Sequence, residues 1–191
     1  MTIINKDVVS VKDILSSSLS IPHYQRPYKW AASHVNQLLD DVIKHKHKKS
    51  YRLGTVVLHK DKDKPNILSI VDGQQRLLTL TLICHFLRTS HLVSIQLLEH
   101  SFDSNISKEN LQHNAAIISS RLNQLTEPET EELTDFLLNK CELIKVVLDD
   151  LSEAFQFFDS QNSRGKELEP YDLLKAFHLR EMELNTENER L

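Results

Sequence analysis

Ile70-Val71-Asp72-Gly73-Gln74-Gln75-Arg76-Leu77-Leu78-Thr79-Leu80 decides how this 191-residue chain folds. An apolar run ends in Asp-Gly, and a second begins directly after Gln-Gln-Arg. The first, Ile67 to Val71, has the length of a buried strand; the second is too long for one and reads as a helix from Gln74 to about Arg88. One or two residues turn between them. Gly73 takes a positive φ there at no steric cost, and Asp72 is placed to cap the helix. A strand-to-helix turn aims backbone N–H groups and the positive end of a helix dipole at one spot. Such a spot favours anions, phosphate above all, and Arg76 on the first helical turn adds a planar fork. The plainer reading is ordinary turn chemistry with a solvated arginine.

Around this stretch the chain is sparing with turn formers: it has 3 Gly and 5 Pro. Each therefore marks a position. Gly54 falls inside an expected strand, Tyr51 to His59, where glycine signals a bulge or a close approach to the backbone. That strand and Ile67–Val71 are expected to form an antiparallel hairpin joined by the polar Lys60–Asn66 connection. Pro22 and Pro27 forbid a helix or a central strand between Leu19 and Trp30. Tyr24, Tyr28 and Trp30 are concentrated in that extended segment, although aromatics are 6% of the chain. They either pack a loop onto the core or wall a pocket in which Arg26 meets phosphate.

Helices account for much of the rest. Val8 to Ser17 is read as a short helix with a Ser10/Asp13 capping box. Ser33 is the expected cap of a helix reaching about His47, with Val35, Leu38, Leu39 and Val42 on one buried face. Its basic end, Lys44 to Lys49, suits a helix C-terminus; nucleic-acid contact is the other reading. Beyond Ser101 the texture is helical, with a capping box at Thr126-Glu127-Pro128-Glu129. Glu142 to Leu148 is β-branched enough for a strand. Asp149 or Asp150 then caps a helix carrying Leu151, Ala154, Phe155 and Phe158. That helix leads into Asn162-Ser163-Arg164-Gly165, with Gly165 as its C-terminal cap. Pro170 opens a last helix.

A net charge of −4 excludes a global basic field for nucleic acid. No apolar run reaches the length of a membrane span, and the N-terminus is no signal peptide. Cys84 and Cys141 lack metal spacing and fit buried thiols in a reduced cytoplasm.

Three motifs stand in order: Ile21-Pro22-x-Tyr24-Gln25-Arg26-Pro27-Tyr28-x-Trp30, then Asp72-Gly73-Gln74-Gln75-Arg76-Leu77, then Asn162-Ser163-Arg164-Gly165-Lys166 with Asp172-Leu173-Leu174-Lys175. Together they resemble the N-terminal domain of GmrSD-type restriction systems, a bacterial family of ParB/sulfiredoxin-like proteins with a DGQQR motif. The resemblance spans roughly residues 10 to 180. It implies an α+β fold, a small mixed ParB/sulfiredoxin-like sheet with a mainly helical C-terminal extension, divided about 1–100 and 101–191 but packed as one unit. It implies a domain that binds or hydrolyses nucleoside triphosphates in phage defence. DNA is then met through the full-length protein, and an HNH-type nuclease module follows this chain, whose own residues do not match that module.

Carried over by position, Asp72, Gln75 and Arg76 are the expected catalytic residues, and Gly73 and Gln74 bind nucleotide. Tyr24, Gln25, Arg26, Asn162, Arg164 and Lys175 wall the site. Asp72 is the expected ligand for Mg²⁺, or it orients water. Leu78 departs from the family, which usually has Thr there. No cysteine sits in the anion loop, which excludes sulfiredoxin chemistry. A DNA-recognition module without nucleotide chemistry and a purely structural domain are the competing readings.

Overall fold

The computed structural model describes residues 3–89, 91–102 and 104–162. Strand β1 (Ile3–Ser10) leads into helix α1 (Val11–Leu15), the two-residue strand β2 (Leu19–Ser20) and helix α2 (Ala32–His45). The hairpin β3 (Tyr51–Lys60) and β4 (Leu68–Asp72) then delivers helix α3 (Gln74–Phe86). Helices α4 (Asn105–Leu122) and α5 (Glu127–Asp135) follow; α5 widens into a π turn over Phe136–Lys140 that feeds β5 (Cys141–Leu148), and α6 (Leu151–Asn162) comes last.

The strands form one mixed sheet in the order β1-β5-β3-β4-β2. β1 is antiparallel to β5, β5 parallel to β3, β3 antiparallel to β4, and β4 parallel to β2. This is the α+β architecture expected, and β5, from the second half of the chain, lies between β1 and β3. Alternation along the strands sends side chains to two layers. Val56, Leu58, Ile70, Leu143 and Val147 join the large core under α1 to α5. Val57, Val71, Val146 and Leu148 face the other way, where Ala154 of α6 covers them.

α3 runs through the middle of the large core: Leu77, Leu78, Leu80 and Ile83 are all buried. It is apolar on most sides, as a central helix must be. α2 buries Val35, Leu38, Leu39 and Val42, the face its spacing predicts. Arg121 ties α4 to α2, with its guanidinium 2.7 Å from Asp40 and 3.2 Å from the Asn36 carboxamide oxygen. Cys84 and Cys141 are buried thiols, pushed up by burial to about 11 and about 12. Among the described residues no helix is long and apolar enough to cross a membrane.

Four expectations need correction. Val8–Ser10 belongs to β1, and the helix after it is only Val11–Leu15, capped by the expected Ser10/Asp13 box. β1 lacks a clean alternation because it is an edge strand. Asn5, Lys6 and Asp7 are exposed, and Val8 is 52% exposed. Ser33 is not the cap of α2: Ala31 holds that position, and its N–H donates to His34 Nδ1 at 3.1 Å. Asp72 does not cap α3 either. It ends β4, and Gly73 is the cap residue. Finally, α3 stops at Phe86, because Arg88 turns left-handed at φ 57° and Thr89 closes back onto the Cys84 carbonyl.

Candidate nucleotide site at the start of helix α3

The site begins where β4 ends. Gly73 has φ 92°, in the left-handed region that favours glycine. A Cβ at that position would lie 2.7 Å from Val56 Cγ1. Conformation and space both demand glycine, and together they set the sharp entry into α3. Among the described residues no side chain makes a cap hydrogen bond at the start of α3, and a helix start of that kind favours an anion.

Charges gather at this turn. The Asp72 carboxylate accepts the Gly73 N–H, and the charges of Arg76 and Arg26 favour its ionised form. Burial outweighs all three and raises its pKa above the ordinary carboxylate value. Burial pushes the Arg76 guanidinium down while Asp72 supports it. Arg76 Nη1 donates to the Thr55 carbonyl at 3.2 Å. The guanidinium lies flat on Gly54, where a Cβ would come within 3.0–3.1 Å of it. Gly54 (φ 120°) thus marks both a register shift in the β3–β5 ladder and a close approach, as a strand glycine signals. Arg76 is held over the sheet end by a bulge that only glycine allows.

Gln74 is the first residue of α3 and is 4% exposed. Its Oε1 is buried without a hydrogen-bond partner among the described residues. Leaving such an acceptor unpaired costs about 1–3 kcal/mol, so the turn holds one unmet demand for a donor.

The other two motif glutamines bond to backbone. Gln75 Oε1 accepts the N–H of Lys29 at 2.7 Å and of Trp30 at 3.1 Å, and its Nε2 donates to the Pro27 carbonyl at 3.1 Å. Gln25 Nε2 donates to the carbonyls of Ile70 at 2.7 Å and Val71 at 2.8 Å. Gln75 was expected to be catalytic and Gln25 to wall the site; both carboxamides are occupied with backbone.

Tyr24 stands edge-on to Phe155 of α6, ring centroids 5.2 Å apart, so α6 packs beside the same segment. Gln25 reaches the end of β4 and Arg26 lies near Asp72, which brings both to the Asp72–Arg76 turn. Arg164, Lys175 and the side chain of Asn162 lie outside the described residues, as does the Gly165 cap. Among the described residues no group of three His, Cys, Asp or Glu could hold a metal alone.

Sequence reading missed the polar layer behind the segment. Tyr28 is wholly buried. Thr79 donates its hydroxyl to the Gln75 carbonyl at 2.9 Å, so the Tyr28 hydroxyl donates to Thr79 at 2.8 Å and accepts from Asn114 Nδ2 at 3.0 Å. Ser107 accepts the Tyr28 N–H at 2.9 Å, and Asn110 donates to the Tyr28 carbonyl at 3.0 Å. A signal was present: Ser107, Asn110 and Asn114 recur at helical spacing, a polar stripe on α4 that must meet backbone.

At the other end of α2 the basic run is partly consumed. Lys46 pairs with Glu132 at 2.6 Å, and Lys48 lies 5.6 Å from the ring of Tyr51, which stacks on His45. Nothing there converges on a phosphate path.

The fold and site define an α+β domain that presents an uncapped helix start flanked by one carboxylate and two guanidinium groups. The chain belongs to a restriction family: the model described as GmrSD restriction endonuclease, N-terminal domain, matches residues 9–179. No curated protein matches the chain.

Proposed function

We propose that this chain is the nucleoside-triphosphate-binding, regulatory domain of a DNA-targeting restriction protein, and that it binds the triphosphate at the Asp72–Arg76 turn. The observation that carries this reading is the uncapped start of α3 with Arg76 and Arg26 both near Asp72. Backbone N–H groups, the helix dipole and two guanidinium forks are a complete anion receptor. Asp72 would supply the single protein ligand for Mg²⁺, whose remaining positions suit phosphate oxygens and water. Hydrolysis at the same turn needs, beyond binding, a positioned water and charge neutralisation at the transferred phosphoryl group. DNA is met by the full-length protein, and cutting belongs to an HNH-type nuclease module beyond this chain.

Thermal unfolding with each nucleoside triphosphate, with and without Mg²⁺, tests this. A ligand at 100 times its dissociation constant adds about 2.7 kcal/mol, a shift of roughly 5–10 °C at this size. The shift is expected in the wild type, reduced in Arg76→Lys, which loses the planar fork, and absent in Arg76→Ala. An Arg76→Ala variant that is folded and still shifted would remove the assignment. Phosphate release in the same samples separates hydrolysis from binding.

A further inference from the structure

Two glutamines from different motifs do one job, and that job is mechanical. The segment from Pro22 to Trp30 has no ladder of its own: prolines 22 and 27 lack N–H groups, and β2 ends at Ser20. Its backbone is held instead by side chains: Ser107, Asn110 and Asn114 of α4 hold residues 28 and 30 from one side, and two glutamine carboxamides tie it to the Asp72 turn. A glutamine offers one oxygen with two acceptor positions and two N–H donors. Gln75 uses both acceptor positions and one donor on residues 27, 29 and 30. Gln25 uses both donors on residues 70 and 71.

The placement of these bonds matters. Gln25 grips β4 at its irregular step, where Val57 pairs with Asp72 but Leu58 pairs with Ile70. That is one residue before Asp72. Gln75 grips from the first turn of α3, two residues after Gly73. The segment is thereby stapled to both sides of the turn, and Arg26 lies in the chain between the staples.

We infer that Gln25 and Gln75 are positioning residues that hold Arg26 across the Asp72 turn and make no contact with the ligand. The part of this that concerns a ligand rests on the triphosphate reading; the stapling does not. Arg26 would otherwise ride on an extended strip without secondary structure. With both staples closed, its charge is delivered to Asp72 and to whatever anion binds beside it.

A double-mutant cycle separates a staple from a ligand contact. The variants are Arg26→Ala, Gln75→Met and the pair together, in the full chain. The probes are tripolyphosphate, followed by thermal shift titration, and acrylamide quenching of Trp30, the chain's single tryptophan. Losing a charge-assisted contact through Arg26→Ala should weaken tripolyphosphate about tenfold. Gln75→Met, similar in shape but without the three bonds, should weaken it comparably and increase Trp30 quenching. The double variant should bind no worse than Arg26→Ala, within about twofold. Losses that multiply would overturn the inference and make Gln75 a ligand contact. Unchanged Trp30 quenching in Gln75→Met would overturn the staple itself, whatever binds. A wild type that ignores tripolyphosphate while Gln75→Met loosens Trp30 would remove the triphosphate reading and keep the staple. If Gln75→Met does not fold, Gln25→Met serves: it loses the two bonds to Ile70 and Val71, should add no loss of affinity to Arg26→Ala, and losses that multiply would overturn the inference.

Discussion

Two ends of the same first turns of α3 are polar in opposite ways. On one side Gln75 and Thr79 meet Tyr28, Lys29, Trp30 and, through Tyr28, Asn114, and the bonds there are short and reciprocal. On the other side stand Asp72 with a raised pKa, Arg76 with a lowered one, and Gln74 with an unpaired oxygen. The first side is a network of neutral groups with one buried acceptor left over, Asn114 Oδ1, which has no partner among the described residues; such a network rigidifies a core. The second keeps charges that burial disfavours, and that is what separates the two sides. Strain of that kind collects where something binds.

Gly73 is the hinge between the two sides, and replacing it should have the largest effect. Gly73→Ala forces a left-handed alanine, at about 1–2 kcal/mol. It also drives a methyl to within 2.7 Å of Val56 Cγ1, at about 1–3 kcal/mol more. Thermal unfolding should show a drop of roughly 5–15 °C. Adding Val56→Ala should return only the steric part. A full return would mean that the left-handed turn carries no strain.

A smaller loss should follow from the neutral side. Tyr28→Phe removes one donor and one acceptor, leaving Thr79 and Asn114 without their shared partner, at about 1–2 kcal/mol. The melting temperature should fall by roughly 3–6 °C, and the response to triphosphate should not change. The gap should close at high pH. Burial raises the Tyr28 hydroxyl pKa, so its contribution is complete below the unfolded value of about 10 and fades as pH rises through the folded one. A changed triphosphate response in Tyr28→Phe would erase the division between the two sides.

What the sequence made legible follows the range of the interaction. The buried face of α2, the capping boxes at Ser10 and Thr126, the β3–β4 hairpin and the special place of Gly54 and Gly73 all rest on neighbours within a turn or a strand. Those rules are local, and they held. Asp72 as cap failed by one residue because a left-handed Gly73 took the position first. β1 was missed because four consecutive residues, Asn5 to Val8, are exposed on both faces of an edge strand, which leaves no alternation to read. The staples were out of reach for another reason. Gln75 and its partners lie about 46 positions apart, and no local pattern tells a glutamine that grips backbone from one that grips a ligand. Motif membership pointed to Gln25 and Gln75; only geometry shows what their carboxamides hold.

The finest test of the contrast is Asp72→Asn. Asparagine keeps an oxygen to accept the Gly73 N–H but removes a carboxylate that burial disfavours and that Arg76 and Arg26 favour. These effects oppose each other, so stability at neutral pH should change by about 1 kcal/mol or less. The pH dependence is more telling. The folded Asp72 pKa is raised, so the native state holds this proton more tightly than the unfolded chain. Its contribution is complete below the ordinary carboxylate value of about 4 and is lost as pH rises through the folded value. Melting temperatures measured from neutral pH downward should therefore shift in favour of wild type over Asp72→Asn. A carboxylate that mainly served the fold, through its arginines, would give the opposite slope. If the expected slope appears together with loss of the Mg²⁺-dependent part of the triphosphate shift, the same carboxylate is a burden to the folded protein and a requirement for the ligand.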